Sequence, residues 1–130
     1  FRGVDEPDLT LIDRIPGQRL RAAISVPVSA SFFADHFPRR PVLPATLLLD
    51  AQIRLALRLA GETVSPGQRL RLAKIADVKM RSFILPGQRV EAETTLRSAT
   101  DGAAELSLAA RVDGKLVATA RVEIVSWGPA

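Results

Sequence analysis

From Arg89 to Ile124, apolar and polar residues alternate in three successive runs. Val90, Ala92, Thr94 and Leu96 share one phase, with Glu91, Glu93, Thr95 and Arg97 on the other. Ala104, Leu106, Leu108 and Ala110 form the second row, and Leu116, Ala118, Ala120, Val122 and Ile124 the third. A period of two marks strands with one buried face. Asp101-Gly102 and Asp113-Gly114 separate the runs, and Asp-Gly is a strong hairpin signal. The pattern therefore predicts an antiparallel meander. Residues 69–80 read as a strand before it, and 10–15 and 19–28 as two more near the N-terminal side.

One segment breaks the alternation. Across residues 44–60, Leu47, Leu48, Leu49, Ala51, Ile53, Leu55, Ala56, Leu57 and Leu59 surround a helix almost completely, which predicts burial on nearly all sides. Pro44 suits its first turn and Gly61 its C-terminal stop. The tetrapeptide Pro-Gly-Gln-Arg occurs at 16–19, 66–69 and 86–89, each time followed by Leu or Val. Pro-Gly is turn chemistry, so each copy is expected to launch a strand. The outline is a curved antiparallel sheet wrapped round one helix, an α+β domain spanning 1–130, with one face available to a second copy of the chain.

Composition narrows the chemistry. The 130 residues contain no cysteine, which excludes disulfides, thiolate metal sites and cysteine nucleophiles and makes a reducing cytoplasm the expected compartment. The net charge of +4 is mostly dispersed arginine, so neither a basic tail nor a nucleic-acid stripe is present, and Trp127 is not interleaved with cations. The apolar stretch 47–60 carries Asp50, Arg54 and Arg58 and is too short to span a bilayer, so no membrane insertion is expected.

Two residues stand out as candidate acid–base groups. His36 is the sole histidine and sits among Phe32, Phe33 and Phe37. Without a second histidine or a cysteine it is a poor start for a metal site. Asp50 is the sole acid within the helix as bounded above, and a carboxylate among leucines needs a partner or a task. Its plain alternative is an ion pair with Arg54, one turn on along the same face.

Read together, residues 36–51 carry a longer pattern: His36-Phe37-Pro38, two arginines, Pro41-Val42-Leu43-Pro44-Ala45, four residues, then Asp50-Ala51. This resembles the active-site segment of bacterial 3-hydroxyacyl-(acyl-carrier-protein) dehydratases, the FabZ/FabA family. Their pattern is His-Phe-Pro, two residues, Pro-Val-x-Pro-Gly, four residues, then Glu or Asp and Ala. Leu11 to Arg14, Phe83 to Gly87 and Val112 to Lys115 look like further family segments, so the similarity spans almost the whole chain.

The resemblance implies a hot-dog fold and no cofactor. It implies a homodimer, or a trimer of such dimers, in which His36 of one subunit meets Asp50 of the other. His36 would remove the C2 proton of a 3-hydroxyacyl thioester, and Asp50 would assist departure of the hydroxyl directly or through a water. The backbone N–H of Ala45 or Thr46 would face the thioester carbonyl. Phe32, Phe33 and Phe37 would line the acyl tunnel, or else simply pack the core. The substrate would ride on acyl carrier protein or CoA, and Arg39, Arg40, Lys79 and Arg81 would suit an acidic carrier.

Three positions depart from the family: Ala45 replaces a glycine, Asp35 replaces the glycine before the histidine, and Arg54 stands where glutamine is common. A cation beside Asp50 favours the carboxylate form, suited to orienting water rather than donating a proton. These departures keep open a non-catalytic acyl-binding subunit. An acyl thioesterase of the same fold is a further alternative, against which His36 counts.

Overall fold

The computed structural model describes residues 8–26, 45–63, 69–100 and 102–127. In chain order these form β1 (Asp8–Ile15), β2 (Arg19–Ser25), α1 (Ala45–Thr63), β3 (Arg69–Met80), β4 (Arg89–Thr100), β5 (Ala103–Val112) and β6 (Lys115–Trp127). The strands make one antiparallel sheet in the order β1-β2-β4-β5-β6-β3. The helix packs against the sheet and touches β2 through β6.

The alternating rows are the core. On β5 the burial pattern is strict: Ala104, Leu106, Leu108 and Ala110 are buried while their neighbours are half-buried. Together with Leu20, Ile24, Val90, Val122 and Ile124 they meet Leu48, Leu55 and Leu59 from α1. On β6 the expected row shifts phase. Ala110 pairs with Ala118 but Arg111 pairs with Leu116, leaving Val117 as an extra, bulged residue. The bulge turns Val117 inward at 4% exposure and leaves Leu116 half-buried.

The turns follow their sequences. Asp113 and Gly114 both take positive φ (51° and 78°), as a two-residue primed hairpin requires. The Pro-Gly-Gln-Arg copies precede strands beginning at Arg19, Arg69 and Arg89. Gly17 and Gly87 supply positive φ in two of them; the turn at Gly67 lies outside the described residues, as do Pro44 and residues 27–28. The third copy also ties β4 to β2. The Gly87 N–H donates to the Val26 carbonyl and the Val26 N–H to the Gln88 carbonyl, both at 3.0 Å.

Two expectations for the helix fail. Gly61 does not end it, for α1 runs on to Thr63. Glycine inside a helix costs about 1 kcal/mol relative to alanine, but the extra turn is anchored. Glu62 Oε1 accepts from the Gly17 N–H at 3.3 Å, and its other oxygen lies 3.4 Å from Arg14. Nor is the helix buried all round. The sheet covers one side, and a stripe at four-residue spacing, Thr46, Asp50, Arg54 and Arg58, is exposed or half-buried in the single chain.

β3 closes one side of the sheet, with no partner beyond β6 among the described residues. It is irregular. Ala73 is extra relative to β6, and Asp77 and Val78 together face the gap between Arg121 and Thr119. Asp77 sits at φ 54°, in the left-handed region, and accepts from Arg121 Nε at 2.7 Å. Ile75, Val78 and Met80 remain exposed along this strand.

Candidate active site at the start of the helix

The exposed stripe of α1 carries two of the candidate site residues, Thr46 and Asp50. Asp50 projects from it with its side chain 57% exposed, so the expectation of a costly buried carboxylate is corrected. Nor is it the helix's sole acid, because the longer helix includes Glu62. The pairing expected with Arg54 is present: Arg54 Nε lies 3.3 Å from Asp50 Oδ2. An acid preceding its base by one turn is the favourable orientation for such a pair. The arginine leaves one carboxylate oxygen free to accept from a water or a substrate hydroxyl.

Thr46 lies one turn before Asp50 on the same stripe, and Ala45 opens the helix. N–H groups in a helix's first turn have no intrahelical acceptor, and the dipole there favours negative charge. No acidic side chain occupies this turn to compete for that role.

Thr46 also borders a cavity of about 220 Å³ between the first half of α1 and the strands β3 and β6. Leu48 and Leu49 form its helix wall, and Val78, Met80 and Ala118 the opposite one. Hollows on the sheet's other flank are rimmed by charge, including Lys74, Asp77, Arg81, Glu105 and Arg121. Of these hollows, the apolar cavity is adjacent to Asp50's stripe.

The structure thus brings together Asp50, Thr46 and Ala45. His36, Phe32, Phe33 and Phe37 lie outside the described residues, as do Asp35, Arg39 and Arg40. Lys79 and Arg81 are exposed at the end of β3, and Lys79 reaches the cavity's edge. One lining residue escaped the sequence reading: Gln52, buried at 3% exposure with its Nε2 lacking any hydrogen-bond partner. Its signal was a lone amide in an otherwise apolar helix face, two residues after Asp50. Among the described residues no cluster could hold a metal ion, and no helix is long and apolar enough to cross a membrane.

A single helix cradled by a six-stranded antiparallel sheet is the hot-dog fold, as expected from the sequence. The chain superposes with a TM-score of 0.76 on smu.793 from Streptococcus mutans UA159, solved bound to acetyl CoA. That match covers 93% of this chain and 90% of the other at 7% identity, a likeness of fold alone. Sequence goes further. Residues 13–121 match the ApeI-like family, described as ApeI dehydratase. The FabZ 3-hydroxyacyl-(acyl-carrier-protein) dehydratase of Shewanella sp. (strain W3-18-1) is 32% identical over 121 residues, covering 86% of this chain and 79% of its own. Its counterpart in Escherichia coli O9:H4 (strain HS) is 33% identical over 117 residues, covering 85% and 78%. The chain belongs to this dehydratase family, as the pattern at residues 36–51 implied, and its enzyme class is that of a hydro-lyase.

Proposed function

We propose that the protein dehydrates a 3-hydroxyacyl thioester, carried on acyl carrier protein or CoA, to the trans-2-enoyl thioester. His36 removes a proton from C2, the C3–oxygen bond breaks, and the proton taken up by His36 is passed on to the departing hydroxide, which leaves as water. The observation that carries this reading is the exposed Asp50, held by Arg54 one turn beyond the start of the helix and beside an apolar cavity. In that setting Asp50 orients the water through which that proton is relayed from His36 to the departing hydroxide. The N–H of Ala45 or Thr46 faces the thioester oxygen as enolate-like charge develops.

Asp50 faces away from the sheet and, among the described residues, β3 has a free edge, so the site is completed by a second copy. Val78 and Ile75 on that edge favour strand-to-strand pairing, which buries apolar surface and satisfies open backbone groups. Lys79 and Arg81, with Arg39 and Arg40, would form the rim that meets an acidic carrier.

The test follows 2-enoyl product from 3-hydroxyacyl thioesters on both carriers for wild type, His36→Ala and Asp50→Asn. Turnover by wild type, with most of the rate lost in each variant, supports both roles. A wild type that binds acyl carrier protein but turns over no chain length supports the second reading, an acyl-binding subunit. The Asp50–Arg54 pair is the observation that favours it.

A further inference from the structure

The cavity beside the site is mainly apolar, with Thr46, Lys79 and Thr119 among its lining residues and one buried polar side chain, Gln52. Gln52 is buried, lines the cavity, and carries an amide nitrogen with no acceptor. A buried amide donor with no acceptor in the fold is costly, and an acceptor on a molecule that enters the cavity relieves that cost. Thr94 is also buried with an unpaired hydroxyl, but it does not border this cavity. Among the lining residues Gln52 is therefore the buried one with an unpaired donor, set against Leu48, Leu49, Val78 and Met80.

The helix fixes where along a bound chain this donor acts. Thr46 belongs both to the cavity and to the stripe bearing Asp50, so a thioester at the helix start sends its chain past Thr46 into the cavity. Gln52 lies six residues further, about 9 Å along the helix axis at 1.5 Å per residue. It also lies roughly 200° round the helix from Asp50, on the sheet side rather than the open side. Asp50 thus addresses the reacting end, and Gln52 a point well down the chain.

We infer that Gln52 is a specificity-determining residue. It selects acyl chains that carry a hydrogen-bond acceptor, such as a keto or ether oxygen, in their distal half. This rests on the dehydratase reading for what enters the cavity, but not for the contact itself. Binding can therefore be measured apart from turnover.

The experiment titrates the full protein by calorimetry with octanoyl-CoA and with analogues bearing a single ketone at successive positions of the distal half. Wild type is expected to bind one ketone analogue about 10-fold tighter than octanoyl-CoA, the usual worth of a hydrogen bond to an otherwise dry donor. Gln52→Leu and Gln52→Met, near in volume and free of polar atoms, should bind plain and ketone chains alike. Equal wild-type affinity across the series would overturn the inference, and so would a ketone preference that survives in both variants. A preference for a chain ending in an amine would overturn it too, since the amide would then be presenting its oxygen. The wild-type comparison needs no variant to fold. Turnover of the matching 3-hydroxyacyl substrates is recorded separately. A ketone preference in binding without turnover would sink the dehydratase reading and leave the role of Gln52 standing.

Discussion

Asp50→Asn separates chemistry from architecture because the structure makes its two costs so unequal. The carboxylate is 57% exposed and its arginine partner 42%, and they meet at 3.3 Å in a single contact. Water screens such a pair, and helix pairs of this spacing contribute about 0.3–0.5 kcal/mol. Asparagine keeps the volume and buries nothing new, so the stability change should not exceed about 0.5 kcal/mol. The catalytic cost is of another order. Losing the carboxylate that holds the relay water removes general acid–base assistance, worth about 10²–10⁴-fold in turnover, which is roughly 3–5 kcal/mol of barrier. Urea unfolding at fixed protein concentration reads the first number, and initial rates of 2-enoyl formation read the second. A variant that keeps more than half of the wild-type rate would refute the role of Asp50. A loss of stability above about 1.5 kcal/mol would refute the exposed, weakly coupled setting from which the contrast is derived.

Gly61→Ala should stabilise the protein by about 0.5–1 kcal/mol, because the residue is helical and, among the described residues, its new methyl would meet only Leu70 at 3.9 Å. A lowered thermal midpoint would show that the helix strains there. Leu55→Ala, at a position 1% exposed between helix and sheet, should cost about 2–5 kcal/mol in chemical denaturation. Val78→Lys, on the exposed edge of β3, should shift the light-scattering mass from dimer to monomer and abolish turnover together, if the site is shared between copies. A monomeric wild type would refute the shared site.

The strands were legible because period-two rows and Asp-Gly turns are local signals. Val90 to Leu96 and Ala104 to Ala110 lie as the rows require. The bulge at Val117 was not legible, since the extra residue is defined against β5 rather than within β6. The helix's end was misjudged for a similar reason. Gly61 carries a local stop signal, but Glu62 is held by Arg14 and Gly17, some 45 residues away along the chain. For the site, residue identity and spacing gave Asp50 its partner Arg54. The four-residue spacing of Thr46, Asp50, Arg54 and Arg58 was itself a signal that this stripe faces outward, outweighed by the number of apolar positions around the helix. Gln52 was overlooked because an amide in a leucine-rich run becomes conspicuous only once its nitrogen is seen to lack an acceptor.

The sheet order also has a consequence for how the chain is made. β3 emerges before β4 and β5, yet its neighbour in the sheet is β6, the last strand, with Arg69 opposite Trp127 and Met80 opposite Ala118. Until residues 115–127 have been synthesised, β3 has no neighbour within its own chain, and the valine and isoleucine on it stay open to other strands. Closing that long-range pairing comes late and slowly. A nascent or truncated chain that stops short of Lys115 should therefore aggregate rather than form a smaller version of the fold, and chaperone demand should fall sharply as β6 clears the ribosome.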